Sequence, residues 1–396
     1  MNILIQKFGG TSVSSNSRRK QVVSKVKKAL ADGFKPVVVV SAMGRKGAPY
    51  ATDTLLSLVD DNFKADNRQA VDLLLCCGEF ISTVVMCNEL NNAGIKSVPL
   101  TGGQAGIITD DNYNSAELTD TKPDLIESIL AKDIVPVVAG FQGINKDGIL
   151  TTLGRGGSDT SAAILGVMLK AKEIQIYTDV DGIMTADPRI VHSAERIPAM
   201  SYNETFQFAE QGAKVIHPRA VETAMKGNIP LVIKNTMTDS EGTIINSMGY
   251  RDSKKLITGI THIAGRVQIS IRLRDNTKEN YKHILKILGD NNISLDLINI
   301  FPNEKIFTID EKDKDNILNI LTSMNMNYTM IEKCCKISII GSMIRGIPGI
   351  VAKIVDALEE KNIDVLQTAD SHTTIWCLIK EDNVNEAIQI LHDIFL

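Results

Sequence analysis

The sequence contains no Cys-x-x-Cys pair, and none of its six cysteines (Cys76, Cys77, Cys87, Cys334, Cys335 and Cys377) stands at zinc-ligand spacing with a histidine. That excludes the common zinc and dithiol frameworks and points to reduced, buried thiols. A surplus of either charge is also missing. The formal net charge is −4 with both signs interspersed, which argues against nucleic acid or an anionic membrane surface as the main partner. No apolar run reads as long enough to span a bilayer, and no basic n-region leads into an apolar stretch and a small-residue cleavage site. The expectation is a cytoplasmic protein that binds neither nucleic acid nor membrane. With 43% hydrophobic and 23% charged residues over 396 positions, the chain has material for two or three ordinary cores.

Residues 1–245 alternate β-like runs with helical patterns. Ile3–Gln6, Pro36–Ser41, Ser97–Leu100, Val135–Ala139, Glu173–Thr178 and Leu231–Lys234 read as strands. Ser17–Ala31, Gln69–Asn92, Pro123–Lys132 and Thr160–Lys170 read as helices. Such alternation predicts an α/β domain with a mostly parallel sheet between helices, and ligands beyond the carboxyl ends of its strands. The rest of the chain is a repeat. Residues 267–321 match 337–391 at a constant offset of 70, apolar position on apolar position: Val267 on Ile337, Ile269 on Ile339, Leu288 on Leu358, Leu321 on Leu391. Each copy reads strand-helix-strand-strand-helix, a ferredoxin-like unit of βαββαβ type lacking its last strand. Tyr328–Glu332 can close the first copy (263–333). The second (334–396) ends too early, while a linker with a spare strand (246–262) precedes the first. The strand count therefore predicts two units that share or exchange strands.

Two glycine-rich turns and a third strand-end motif fall where such a sheet binds ligands. Lys7-Phe8-Gly9-Gly10-Thr11-Ser12 follows the first strand. Its glycines let backbone amides approach phosphate oxygens, and Lys7 can neutralise a transferred group, although a plain strand-to-helix turn would look similar. The Walker spacing is absent. Thr151–Asp159 (TTLGRGGSD) opens a helix. Ser158 or Asp159 could be a simple N-cap, but three glycines and Arg155 exceed what a cap requires. Arg155 suits bidentate capture of a carboxylate, and Asp159 could orient Lys7. Thr178–Arg189 (TDVDGIMTADPR) lacks the EF-hand ligand order, so it reads as a turn that contacts a nucleotide, and Lys214 is a further phosphate candidate. Glu79 lies in an apolar stretch and needs a cationic partner, either a substrate ammonium or a structural arginine. Thr52-Asp53 begins another helix, as a cap or as a substrate contact.

Taken in order, KFGGTSV (7–13), SAMG (41–44), Thr52-Asp53, Gly78-Glu79, TLGRGGSD (152–159), TDVDGIMTADPR (178–189) and GAKVIHPRA (212–220) resemble the aspartate kinases of the amino-acid kinase superfamily. The C-terminal repeat resembles the paired ACT domains of that family, so the likeness covers essentially the whole chain. The resemblance implies an amino-acid kinase fold followed by two ACT domains, with transfer of the ATP γ-phosphoryl to the side-chain carboxylate of L-aspartate. It assigns catalysis to Lys7 and Asp159. It assigns substrate binding to Thr52, Glu79, Arg155, Gly156, Gly157 and Ser158. ATP falls to Lys7, Phe8, Gly9, Gly10, Ser41, Thr178, Asp179, Met184, Arg189 and Lys214, with Mg²⁺ carried on the phosphates and no protein metal site. Met184 stands where an aromatic residue is common in the family.

Gly341–Gly349 (GSMIRGIPG) resembles an ACT effector loop, which assigns an allosteric role to Met343, Ile344, Gly346, Ile347, Pro348 and Gly349. The matching Arg272–Thr277 of the first repeat lacks the Gly-x-Pro-Gly, so effector is expected mainly at the second repeat. The segment 367–376, containing Asp370, is similar to the diaminopimelate-sensitive branch. The order of expectation is diaminopimelate, then lysine, then threonine. A homodimer through the ACT domains is implied, with a tetramer as the other possibility. The competing readings are another amino-acid kinase, which would lack the tandem ACT tail, and a catalytically silent amino-acid sensor, against which stand Lys7, Glu79, Arg155 and Asp159.

Overall fold

The computed structural model describes residues 1–213, 215–249, 256–273, 278–341, 344 and 347–396, with backbone alone at 278–280. Two compact units divide the chain. One comprises Met1–Ile183, Arg196–Glu210 and Lys214–Arg251; the other comprises Met184–Glu195, Gln211–Ala213 and Asp252–Leu396.

The first unit is built on an eight-stranded sheet in the order Ala199–Ser201, Thr243–Asn246, Leu231–Asn235, Glu173–Thr178, Ile3–Phe8, Lys35–Val40, Val135–Ala139, Ser97–Leu100. All its pairings are parallel except Leu231–Asn235 with Thr243–Asn246. Lys35–Val40 shows why its run of β-branched residues goes to the centre: Val37 to Val40 are all fully buried, which only a strand covered on both faces requires. The helix Asn16–Ala31 starts where the Ser15 hydroxyl accepts the Arg18 N–H, and it turns Val22, Val26 and Ala29 inward at helical spacing. Leu30, next to Ala29, is exposed.

A second, four-stranded sheet of Leu118–Thr121, Ile107–Thr109, Gln142–Ile144 and Leu150–Thr152 has no counterpart in the sequence reading. Its strands are three or four residues long and partly polar, too short to show an alternating pattern.

The helix Arg68–Asn92 corrects another expectation, because its 25 residues are long and apolar enough to cross a membrane by composition. More than half of its most apolar window is buried inside the protein, and its inward face carries Asp72 and Glu79. Both carboxylates accept hydrogen bonds from the first unit, so the helix belongs to that unit's core.

The second unit is one six-stranded antiparallel sheet in the order Asp296–Ile300, Glu304–Asp310, Gly259–Arg272, Asn327–Ile340, Thr374–Lys380, Gln367–Asp370. The eight expected strands have become six because two are continuous over 14 residues each. The spare strand runs directly into the first strand of the first repeat. The closing strand of that repeat runs into the first strand of the second. Ile260 pairs with Ile339 in one half of this ladder and Ile269 with Met330 in the other, with register shifts between Ile263 and Gln268. Each half therefore has the ferredoxin-like order, and the second repeat borrows its last strand from the segment before the first.

The offset-70 positions form two equivalent cores. Val267, Ile269, Leu288 and Leu321 fill one; Ile337, Ile339, Leu358 and Leu391 fill the other. Ala186 and Val191 join the second core, and the Thr185 carbonyl accepts the Ile260 N–H at 2.7 Å, so Met184–Glu195 is packed as part of this unit.

Candidate active site

Lys7 sits near the carboxyl end of the central strand Ile3–Phe8, and its ammonium lies 2.6 Å from Asp159 Oδ1. Both side chains are nearly enclosed, at 12% and 14% exposure, so the pair is held in a drier medium than a surface ion pair. Asp159 is in the first turn of the helix Gly157–Met168, where a negative side chain is favoured. The N-cap of that helix is Gly156, in a left-handed conformation with φ 67°, and no side chain caps the first turn. Its leading amides are thus left to other acceptors. Glycine is required at this cap, because a Cβ would stand 2.1 Å from the His217 ring.

The first glycine turn closes against the Ser41–Gly44 turn. Ser41 donates to the Phe8 carbonyl at 3.2 Å and Gly44 to the Gly10 carbonyl at 3.0 Å. A Cβ on Gly10 would meet the Ala42 carbonyl oxygen at 2.4 Å. Phe8 itself faces the core, stacked on Tyr177 with ring centroids 4.6 Å apart, so it can offer a ligand only its backbone.

A cleft of about 670 Å³ gathers Lys7, Ser41, Thr52, Glu79 and the whole turn from Arg155 to Asp159. Glu79 is 2% exposed; one carboxylate oxygen accepts the Ala42 N–H at 3.0 Å and the other has no hydrogen-bond partner among the described residues. Burial pushes its pKa up to about 8. The expected cation is missing from the protein side, since no ion pair among the described residues involves Glu79. Arg155, across the same cleft, is exposed and also forms no ion pair among the described residues. A buried carboxylate short of a donor and an uncommitted guanidinium together complement a molecule carrying both an ammonium and a carboxylate.

Several contributors escaped sequence reading. Asn114 and Phe141 line the cleft. Arg219 donates to the Leu153 carbonyl at 2.6 Å and the Ala116 carbonyl at 3.1 Å, clamping the turn before Arg155. The motif GAKVIHPRA contained that signal, but only Lys214 was singled out from it. Asp72, seven residues before Glu79 on the same helix, was the other charge in the apolar run.

Other expected residues lie elsewhere. Thr178 ends the strand Glu173–Thr178, and Asp179 pairs with Arg45 at 3.0 Å on the surface. Met184 and Arg189 are in the second unit. The Arg189 guanidinium is held by Asp187, at 2.6 Å from Nη2 and 3.0 Å from Nε. Ile344 and Ile347 pack into the second repeat's core, Gly349 caps the helix Ile350–Glu359 at φ 84°, and Asp370 is exposed at the end of Gln367–Asp370. Lys214, Met343 and Gly346 lie outside the described residues.

The amino acid kinase family matches residues 2–235, and an ACT domain family matches residues 330–393. Aspartokinase 1 of Bacillus subtilis is 44% identical over 400 residues, spanning 100% of this chain and 99% of the relative. This chain belongs to the aspartokinases. Among solved structures, the aspartate kinase of Clostridium acetobutylicum superposes with TM-score 0.82 over 99% of this chain and 100% of the other at 22% identity. E. coli aspartokinase III, in complex with aspartate and ADP, does so with TM-score 0.75 over 99% of each at 23% identity. These two likenesses establish the aspartokinase fold for the chain. The full-length match, ACT region included, also sets aside the reading of an amino-acid kinase without an ACT tail.

Proposed function

We infer that this chain transfers the γ-phosphoryl group of ATP to the side-chain carboxylate of L-aspartate, giving 4-phospho-L-aspartate. The observation that carries the reading is that Glu79, Arg155 and the Lys7–Asp159 pair line one and the same cleft. The substrate ammonium would complete the free oxygen of Glu79, Arg155 would take the α-carboxylate, and Thr52, Gly156, Gly157 and Ser158 would orient the side chain. A substrate carboxylate is already ionised at neutral pH, so no general base is required. Lys7 then neutralises charge on the transferred group, and Asp159 keeps that ammonium in place.

On the nucleotide side, the proposed contacts are the backbone of Phe8, Gly9 and Gly10 with Ser41, Thr178, Asp179, Met184, Arg189 and Lys214. Using Arg189 would require it to release Asp187. Mg²⁺ would arrive on the ATP phosphates, because this ion favours phosphate and water ligands.

The regulatory reading places an amino-acid effector mainly at the second repeat, around Met343–Gly349 and Asp370, with diaminopimelate first, then lysine and threonine. It also places the protein in the cytoplasm as a homodimer through the ACT repeats, with a tetramer as the other assembly. The proposed boundaries are 1–245 for the kinase domain, 246–262 for the linker and spare strand, and 263–333 and 334–396 for the repeats. The test is an ATP-dependent hydroxamate assay with L-aspartate, L-glutamate and N-acetyl-L-glutamate in parallel. Product from aspartate alone supports the reading. Product from another substrate moves the chain to a different specificity, and no product from any of them leaves an amino-acid sensor.

A further inference from the structure

We propose that Asp72 is a positioning residue of the substrate site, fixing the separation between the groups that hold the two charged ends of the substrate. The proposal rests on the reading that Glu79 and Arg155 are those groups.

Asp72 is fully buried. Its carboxylate accepts the Thr152 N–H at 2.9 Å, the Thr152 hydroxyl at 2.6 Å and the Asn114 N–H at 3.1 Å on both oxygens. All of these groups are donors, and no cation pairs with it among the described residues. A buried carboxylate without a countercharge is unfavourable, as the upward displacement of its pKa by burial reflects. An ordinary core position would be filled better by an apolar side chain, so the group needs another reason to be there.

That reason follows from what its partners do next in the chain. Thr152 leads through Leu153 and Gly154 to Arg155. Asn114 stands in a left-handed conformation at φ 70°, and its carbonyl oxygen lies 3.0 Å from where a Cβ on Gly154 would be. Thr152, Asn114, Gly154 and Arg155 all line the cleft. Asp72 thus ties down the segment that carries Arg155 and the Asn114 segment packed against it. Glu79 is seven residues further along the same helix, on the same buried face and about 10.5 Å along its axis. One rigid helix therefore carries the ammonium acceptor at one point and the anchor of the carboxylate clamp at another. A carboxylate is suited to the anchor because it accepts at both oxygens; an asparagine would set an amide donor against the N–H and O–H groups it now receives.

The experiment uses the full-length protein and initial rates with both substrates varied. For Asp72→Asn, the KM for aspartate should rise roughly 10-fold or more while the KM for ATP stays within about 2-fold, since small displacements of a positioned group carry penalties of this size. Thr152→Val removes one donor to the same carboxylate and should raise the aspartate KM about 3-fold. The double variant should resemble Asp72→Asn rather than the product of the two effects, because both changes break one unit. A merely structural Asp72 would move both KM values together, or move neither, and either result overturns the proposal. Should Asp72→Asn fail to fold, Thr152→Val decides alone: a selective rise in aspartate KM supports the positioning role, and an unchanged value refutes it. Wild-type protein inactive on aspartate would remove the underlying reading and this proposal with it, whereas active wild type with an unmoved aspartate KM in the variants sinks only this one.

Discussion

Replacement of Glu79 by glutamine sets stability and substrate binding in opposition. In the folded protein burial holds the Glu79 pKa at about 8, against an ordinary 4.5. Between those two values the folded chain keeps a proton that the unfolded chain has lost. Stability therefore falls as pH rises through that window and is level above it. At 1.36 kcal/mol per pH unit the gap amounts to about 4 to 5 kcal/mol. Glutamine imitates the protonated side chain and cannot ionise, so the variant escapes the loss. Its advantage over wild type should be small near pH 4.5, grow with pH, and reach several kcal/mol by about pH 8.5. Urea denaturation at pH 5, 7 and 8.5 measures this directly.

The same substitution removes the charge that the substrate ammonium would meet. Breaking a buried charged pair costs about 3 to 5 kcal/mol, so aspartate binding should weaken by roughly 100-fold or more. The ATP KM should hardly change. A variant less stable than wild type at pH 8.5, or one whose aspartate KM stays within about 3-fold, would refute the assignment of Glu79 as a buried carboxyl awaiting a cation.

Binding of aspartate at pH 7 should release a proton from Glu79, seen by calorimetry in buffers of different ionisation enthalpy; absence of any buffer dependence would count against it. Lys7→Met should lower kcat roughly 1000-fold while moving the aspartate KM far less, because the ammonium acts on charge that develops in transfer. Arg155→Lys keeps the charge but loses the fork, so the aspartate KM should rise about 10-fold, and an unchanged KM would remove Arg155 from the carboxylate site. Ile260 is 2% exposed in the core of the second repeat, so Ile260→Ala should destabilise the second unit by about 2 to 4 kcal/mol in denaturation, while a loss below about 0.5 kcal/mol would contradict the shared strand.

The parts of this structure that were legible in the sequence are those with long or repeated patterns. Val37–Val40 could be placed at the centre of a parallel sheet because no polar residue interrupts the run. The strand exchange followed from counting, since the offset-70 repeat left one copy a strand short and one strand spare. What stayed hidden was set by tertiary context. The small sheet around Gln142–Ile144 has strands too short to carry periodicity. The helix Arg68–Asn92 was underestimated as an apolar element because Asp72 and Glu79 break the run in sequence while both turn inward in space. Asp72 and Arg219 were missed because their roles are hydrogen bonds to residues 80 and 66 positions away. The glycine turns at Lys7 and Arg155, in contrast, announced themselves because close backbone approach leaves a direct mark on composition.

The most direct test of the account is the rate of aspartyl hydroxamate formation from ATP, L-aspartate and Mg²⁺ by the full-length protein, measured beside Arg155→Ala and Glu79→Gln. The account predicts ATP-dependent product from wild type, with both substitutions acting through the aspartate KM. Folded wild type that makes no hydroxamate, or variants that match it at low aspartate, would contradict it.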